Sequence, residues 1–506
     1  MNFFRHRKNS FIALLFFALS YLGIIHHEMW LDEMHHWLLS KDSNSLSQLI
    51  YNARYEGHPL FWNVVMFFVA QFTSNPFFAQ LLHIAISSTA VFLFLKYAPF
   101  KIAQNILLVF GYFFFYEYNI IARNYNLAWL LLIIFCILFT RAKRNYFLLV
   151  LTLCVLANIH LLSLIVATCL FGLTLYTHLN DPTTNKKGFA LLLILAFCLS
   201  ATVSVYQIIP PGDSVFVKSY TNNSLSLIQF SKAFSILIKA YLPIPNYSIA
   251  SVWNTNLILS HFKIISLAIT FLLLLIPALI FIAKPIIFIF YHVCLMLIVL
   301  VLFRLSLFYG TRYTGFVYMI FIVSLWLSYD DRFATINTNK FGAQMQNSFL
   351  WLIISIHFFV GTYFFYMDYK FPFSQSKNIA SFVQNFTSKN SLVILFPSQK
   401  GSEISGYLNK KVYSTQTAQF ISFSDWQANA PINYDSAFNQ LKQFVAVQNE
   451  KQLVIVMMNT DSSTIRLKNK IESNFNSGKY HIDKCGEFAA SMSEINPYLV
   501  YTCSRN

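Results

Sequence analysis

The segment 26–37 of this chain has an unusual density of ionisable side chains. Its sequence, HHEMWLDEMHHW, places three carboxylates among four imidazoles. A carboxylate beside an imidazole can act as a general base toward a hydroxyl group, or both can bind a divalent cation. We therefore take Asp32 and Glu33 as catalytic candidates. The alternative is a hydrated interfacial loop in which Trp30 and Trp37 anchor the chain at a membrane surface.

A second polar motif, EGHP, stands at 56–59. Gly57 allows a turn there, and Pro59 can open a short helix that follows. This geometry would present Glu56 and His58 at the mouth of a cavity, so we expect both side chains to bind substrate. The alternative is that the same residues cap the helix.

Glu117 and Arg123 flank the outer end of a predicted membrane span. Ionisable groups at such a depth are usually functional or paired with one another. We take Glu117 as a second catalytic candidate and Arg123 as a substrate-binding residue, with a simple ion pair between them as the alternative. His160, at a break between two apolar segments, could line the same cavity or serve in packing.

An anionic substrate would need a cation on the same side of the membrane. The motif YGTRYTG places Arg312 and Tyr313 at the start of a late apolar segment. A guanidinium group can donate two hydrogen bonds to one phosphate, so Arg312 and Tyr313 are predicted to bind substrate. Arg304 and Lys218 are weaker candidates, since Arg304 can extend from the preceding span to the surface.

The elements that must position these residues are membrane helices. Of the 506 residues, 56% are hydrophobic and 11% are charged, and the apolar residues form long blocks. Blocks of ~20 residues match the length that crosses ~30 Å of hydrocarbon as a helix. We predict about eleven spans, at 9–26, 77–95, 102–117, 125–140, 146–157, 160–177, 189–209, 264–283, 286–303, 313–328 and 349–367.

The distribution of positive charge predicts the orientation. The segment 59–72 is apolar but too short to cross the hydrocarbon, so we treat it as re-entrant or interfacial. With the N-terminus inside, the basic clusters between spans then face the cytoplasm, as the positive-inside rule requires. The net charge of +16 is explained by this topology, and we predict no nucleic-acid partner.

The chain changes character near residue 369. We predict strands at 391–396, 452–458 and 499–503, with helices at 379–386, 436–448 and 465–475 between them. Residues 1–368 would then form a transmembrane domain whose outer loop 26–76 bears the acidic motif. Residues 369–506 would form a small extracytoplasmic α/β domain. An oxidising exterior would permit a disulfide between Cys485 and Cys503.

These motifs, in this order, resemble the GT-C fold membrane glycosyltransferases, the superfamily of protein O-mannosyltransferases, lipid A aminoarabinose transferases and oligosaccharyltransferase catalytic subunits. The triplet Leu31-Asp32-Glu33 is similar to their acidic motif in the first outer loop, and the turn at 56–60 to their Pro-containing turn. Glu117 is similar to their second acidic residue, and Arg312-Tyr313 to an Arg-Tyr pair in a late loop. The turn has one proline where many relatives have two, and Glu117 stands where several of them have aspartate.

The resemblance implies that a sugar is transferred, with inversion, from a polyprenyl-phosphate or diphosphate donor to a lipid, glycan or protein acceptor. Asp32 or Glu33 would take the proton of the acceptor. Arg312 and Arg123 would offset the charge on the departing phosphate. It further implies an integral multi-pass protein of the bacterial inner (plasma) membrane, in contact with membrane lipid, whose active site faces the cell envelope.

Two points remain open from the residues alone. A divalent metal cofactor is neither required nor excluded, and His35 and His58 are the candidate ligands beside carboxylates. The function could also be that of a transporter or lipid flippase with a proton relay, or of a sensor or assembly subunit. Transporter sites usually lie near the midplane, whereas these carboxylates cluster at one face, so we favour the transferase.

Overall fold

A computed structural model of the protein describes residues 2–181, 186–214, 226–333, 340–386, 391–396, 401–424, 426, 434–447, 452–458, 469, 473 and 480–505. Among them are the helices α1 Asn2–His26, α2 Leu31–Lys41, α3 Leu46–Asn52, α4 Phe61–Ala70, α5 Phe77–Tyr97, α6 Ile102–Val109, α7 Tyr125–Phe139, α8 Tyr146–Ala157, α9 Leu161–Asn180 and α10 Lys186–Ile208. They continue as α11 Leu227–Ser235, α12 Ile238–Tyr241, α13 Leu257–His261, α14 Lys263–Phe281, α15 Pro285–Arg304, α16 Thr311–Ser328, α17 Lys340–Lys370, α18 Ser376–Phe386, α19 Gly401–Leu408 and α20 Tyr434–Val447.

The helical part has the character of an integral membrane protein. Within the described residues, seven helices are long and apolar enough to cross a bilayer, namely Arg7–His26, Phe77–Tyr97, Leu161–Asn180, Lys187–Ile208, Lys263–Phe281, Pro285–Arg304 and Gly342–Lys370. The other predicted spans are helical as well, but α7 and α8 are shorter, with 15 and 12 residues. The total of eleven therefore stays a prediction. Helix α4 has only 10 residues, too few to cross the hydrocarbon.

The predicted helix at 102–117 is interrupted in the structure. Helix α6 ends at Val109, and a π-helix, Tyr112–Glu117, follows after a break. Helix α17 packs directly against this break, because a Cβ on Gly361 would lie 2.9 Å from the carbonyl oxygen of Phe110. Gly315 of α16 is packed still more tightly, because a Cβ there would collide with the Tyr118 hydroxyl. The wide turn thus carries Glu117 into a tightly packed interior.

The C-terminal region contains a mixed sheet, which confirms the predicted small α/β domain. In the described part of this region, six strands pair in the order β3-β2-β1-β4-β6-β5. Their bounds are β1 Leu392–Phe396, β2 Val412–Ser414, β3 Gln419–Ile421, β4 Gln452–Met458, β5 Tyr480–Phe488 and β6 Tyr498–Arg505. Strand β1 is parallel to β2 and β4, whereas β6 is antiparallel to β4. The predicted helix 465–475 lies outside the described residues apart from Asn469 and Ser473.

The sheet domain docks on the helix that carries the acidic motif. Gly406 of α19 lies so close to the side chain of Met34 in α2 that a Cβ there would collide with it. Nearby, the backbone N–H of Met29 donates to the Tyr407 hydroxyl at 2.7 Å. The domain therefore forms one wall of the region around Asp32. Cys485 and Cys503, predicted as a possible disulfide, are both free thiols in the structure.

Candidate active site

Asp32 and Glu33 diverge although they are neighbours in the sequence. Both lie in the first turn of α2, where carboxylates interact favourably with the helix dipole. Successive residues of an α-helix are rotated by about 100°, so adjacent side chains point in different directions. Asp32 lines a cavity, whereas Glu33 is buried and points into the helical core.

Asp32 is held by two arginines. It forms an ion pair with Arg123, and its Oδ2 atom lies 3.1 Å from Nη2 of Arg312. Burial alone would raise the pKa of Asp32, but the two positive charges outweigh it and lower that pKa to about 2. In this state Asp32 is an anion and a weak base. The predicted alternative, an ion pair between Glu117 and Arg123, is not what the structure shows, because Arg123 pairs with Asp32 instead.

The two guanidinium groups have unused donors. Among the described residues, Nε of Arg123 and both Nε and Nη1 of Arg312 are buried without a hydrogen-bond partner. Aromatic rings hold Arg312 in place, since its guanidinium carbon lies 5.1 Å from the ring centre of Trp30 and 4.8 Å from that of Tyr313. Buried N–H groups without partners are costly. Their presence on two converging cations indicates a site for an anion.

The loop that carries Arg123 is fixed by buried hydrogen bonds. The backbone N–H of Ala122 donates to Oε1 of Glu33, and that of Arg123 donates to Nε2 of His83 at 3.1 Å. Nδ1 of the same histidine bonds to the carbonyl oxygen of Asn119 at 3.0 Å. Arg123 is therefore positioned by groups that do not themselves reach the cavity.

The cavity in front of Asp32 has a volume of about 280 Å³. The structure brings together at its wall most of the residues that the sequence predicted, and it adds His36, Tyr55 and Trp426, which the prediction missed. The predicted residues at the wall are Asp32, His35, Glu56, His58, Arg123, His160, Arg312 and Tyr313. Apolar side chains such as Leu161 and Ile208 line the remainder, so a charged end faces an apolar space.

Glu33 belongs to a buried hydrogen-bonded cluster. Its Oε2 atom lies 3.0 Å from Nε2 of His27 and accepts the N–H of Trp30. Nδ1 of His27 lies 2.7 Å from Asp368 at the end of α17. Burial lowers the pKa of His27, but the charges of Asp368 and Glu33 more than offset this, and the pKa is raised well above its usual value. This cluster lies behind the cavity and joins α2 to α17.

Glu117 is also placed away from the cavity wall. Its Oε2 atom accepts hydrogen bonds from the Tyr112 hydroxyl at 2.7 Å and from Nε1 of Trp253 at 3.0 Å. The ring of Trp253 packs 4.7 Å from that of Trp30, which in turn lies against Arg312. Glu117 therefore supports the aromatic wall from behind. It is not among the described residues that line the cavity.

Imidazoles and Glu56 form the wall opposite Arg312. Nε2 of His35 lies 2.7 Å from Oε1 of Glu56, and its Nδ1 lies 3.3 Å from the Ser402 hydroxyl of the sheet domain. Burial raises the pKa of Glu56, but the charge of His35 and the hydrogen bond lower it overall. Gly57 has a positive φ of 68°, so the predicted turn is present. The turn directs the side chain of His58 toward Glu56, so that Nε2 of His58 lies 3.9 Å from Oε2 of Glu56.

His36, Glu56 and His58 form a group that could hold a metal ion. One donor atom from each lies within 4.8 Å of the others. Burial lowers the pKa of both His36 and His58, so both imidazoles are neutral, as metal ligands must be. Their Nδ1 atoms are buried without a hydrogen-bond partner among the described residues. Of the two residues predicted as metal ligands, His58 belongs to this group. The other, His35, does not belong to it and is hydrogen-bonded to Glu56 and Ser402.

His160 combines both roles considered for it. It lines the cavity, and its Nδ1 atom accepts the N–H of Leu162 at the start of α9. Its ring stacks on those of Tyr313 and Phe316 at 5.7 and 5.6 Å. Of the two other cations considered, Arg304 ends α15 and Lys218 lies outside the described residues.

Comparisons with known proteins find solved structures that have a similar fold. No protein-family model matches the chain, and no curated protein does. The crystal structure of ArnT from Cupriavidus metallidurans, bound to undecaprenyl phosphate, is similar over 97% of each chain, with a TM-score of 0.50 and 10% sequence identity. The GT-C-like fold that the motifs indicate is thereby confirmed.

Proposed function

We propose that this protein is a glycosyltransferase that takes a sugar from a polyprenyl-phosphate or diphosphate donor and transfers it on the extracytoplasmic side of the membrane. The observation that carries the proposal is the pair of buried guanidinium groups, Arg123 and Arg312, with unpartnered N–H groups at the charged end of an apolar cavity. A phosphate joined to a long apolar chain matches both parts of this cavity. ArnT, which shares the fold, was crystallised with undecaprenyl phosphate.

The arrangement suggests how the donor activates the base. A phosphate offers more charge and more acceptor oxygens than one carboxylate, so it competes with Asp32 for Arg123 and Arg312. As the guanidinium groups turn to the phosphate, they stabilise the Asp32 anion less, and its pKa rises from about 2. Asp32 is thus a stronger base when the donor is bound than when it is absent.

The transfer itself is a displacement at the sugar carbon C1. The acceptor hydroxyl attacks C1, its proton passes to Asp32, and the bond between C1 and the phosphate oxygen breaks. The electron pair of that bond goes to the phosphate, whose developing charge Arg123 and Arg312 offset. Attack from the face opposite the leaving phosphate inverts the configuration at C1. Glu33 and Glu117 do not contact the reacting groups in this scheme, and they stabilise the fold behind the cavity.

A divalent metal ion fits the wall of the cavity as a cofactor. His36, Glu56 and His58 would hold it, and two imidazoles with one carboxylate are a common ligand set for Zn²⁺. When bound, such an ion would supply a positive charge that polarises an oxygen of the substrate. Metal analysis of the purified protein tests this: we expect about one bound Zn²⁺ in the wild type and its loss in His58→Ala. A metal-free wild type that also fails to take up added Zn²⁺ would refute the site.

Two measurements on protein in nanodiscs test the transferase. First, undecaprenyl phosphate should bind, and Arg312→Ala should weaken that binding. Second, a panel of polyprenyl-phospho-sugars should yield free polyprenyl phosphate, detected by mass spectrometry. Binding without any release of the sugar, combined with movement of the lipid between leaflets in liposomes, would favour the flippase instead.

A further inference from the structure

A second cavity lies beside the first. It has a volume of about 520 Å³ and is formed between the segment 51–56 and the sheet-domain segment that includes β3. Tyr55, Glu56 and Trp426 line both cavities and so form a shared wall. We infer that this second cavity is the acceptor site of the transferase and that it takes an acidic saccharide. The inference rests on the proposed function.

The lining of the second cavity combines aromatic rings with polar groups. The side chains of Tyr51 and Phe420 are 64% and 43% exposed there, although both carry large rings. Amide groups of Asn52 and Gln419 lie beside them, and the buried Thr417 hydroxyl has no hydrogen-bond partner among the described residues. A saccharide has apolar C–H faces and a rim of hydroxyl groups, so exposed rings flanked by amides and hydroxyls suit it.

The charges of the second cavity favour an acidic ligand. Arg54 and Lys411 line it, while Glu56 is the one carboxylate among its described lining residues and is already bonded to His35. The guanidinium group of Arg54 is held in place, because it lies 3.9 Å from the ring centre of Tyr51 and donates to the carbonyl oxygen of that residue at 2.7 Å. A fixed guanidinium beside a lysine attracts a carboxylate.

The shared wall lies between the two cavities, so the two substrates would be close to each other on its opposite sides. A hydroxyl group that enters from the second cavity meets Glu56 and Trp426 first, and Asp32 lies in the cavity beyond them. Nε1 of Trp426 lies 3.2 Å from Nε2 of His35, which is itself 2.7 Å from Glu56, so the three side chains pack together in this wall. The apolar first cavity suits the polyprenyl donor and the polar second cavity suits the saccharide. The reacting atoms then meet at the wall.

Binding experiments on the full chain in nanodiscs test the inference. The probes are oligosaccharides that contain uronic acid, matched neutral oligosaccharides, and the same acidic oligosaccharide linked to a lipid in the disc. We expect the acidic probes to bind more tightly than the neutral ones. The double variant Tyr51→Ala/Phe420→Ala should weaken their binding roughly tenfold. Phe386→Ala, which truncates an exposed ring of the sheet domain outside the cavity, is the matched control and should have no effect.

The same preparations separate this inference from the proposed function. Undecaprenyl phosphate should bind equally to the wild type, the double variant and the control. If the wild type binds no undecaprenyl phosphate, the proposed function itself fails. If that lipid binds but acidic oligosaccharides do not, or bind equally to the double variant, the acceptor inference alone is overturned. Tighter binding of the lipid-linked probe or of the soluble one identifies the source of the acceptor, and either supports the site.

Discussion

Asp32 and Glu33 differ in whether the groups that surround them have hydrogen-bond partners. Around Asp32, two guanidinium groups keep buried N–H donors without partners and face a cavity. Around Glu33, both carboxylate oxygens accept hydrogen bonds from Trp30 and Ala122, and His27 completes the cluster. A buried carboxylate whose two oxygens both have donors stabilises the fold, whereas buried donors without partners can bind a ligand. Asp32 and Glu33 are adjacent in the sequence, but we expect them to have different roles.

The largest expected effect is on turnover. Asp32→Asn removes the proposed base, and general-base catalysis typically contributes about 100- to 10,000-fold in rate, so sugar transfer should fall by that factor. The same variant should bind undecaprenyl phosphate at least as tightly as the wild type, because no carboxylate competes for Arg123 and Arg312. Asp42→Asn, at the other end of the same helix, is the control. A variant that retains a tenth of the activity would remove Asp32 from the role of base.

The next effect is on donor affinity. Arg312→Ala removes a charge-assisted contact to the phosphate, worth about 1.5 to 3 kcal/mol, or roughly ten- to a hundredfold in affinity. Arg312→Lys should weaken binding less, because it keeps the charge but loses the forked geometry. Arg304→Ala is the matched control outside the cavity. Unchanged donor affinity with a lowered melting temperature would make Arg312 a purely structural partner of Asp32.

A smaller effect, on stability, should follow from Glu33→Gln. The amide presents N–H groups to backbone donors, so at least one buried donor loses its partner, at a cost of about 1 to 3 kcal/mol. The melting temperature should fall, while the protein that remains folded should transfer sugar at close to the normal rate. Thermal unfolding and activity measured on one preparation check this. An inactive variant with an unchanged melting temperature would make Glu33, and not Asp32, the base.

The smallest expected effect is a dependence of stability on pH through His27. Asp368, Glu33, Glu28 and His83 all act on its charge, and its pKa in the folded protein is well above 6.5. A raised pKa stabilises the fold fully below the unfolded value near 6.5, and this contribution is lost as the pH rises through the folded value. The melting temperature of the wild type should therefore fall as the pH rises above about 6.5. His27→Gln should lack this slope, and an equal slope in both would contradict it.

The sequence predicted the fold and much of the cavity, but not the partners of the charged groups. Apolar blocks and the motifs at Asp32, Glu56 and Arg312 are local signals, and they were sufficient to place these side chains on one side of a helical bundle. The bond from Trp253 to Glu117 joins residues 136 positions apart, so no local pattern reveals it. The sequence likewise does not distinguish His36 from His35. Only the folded chain, with its turn at Gly57, shows that His36 and not His35 belongs to the group with His58.

The long separation between His27 and Asp368 has a consequence for how the protein is made. The two residues are 341 positions apart, and a ribosome adding ~5–20 residues per second needs roughly 20 to 70 s to cover that distance. For most of this interval helix α2 has left the ribosome, while His27 just before it still lacks its partner Asp368. The buried pair of His27 and Asp368 can therefore form only after α17 has been synthesised, so the acidic segment reaches its final contacts late in biogenesis.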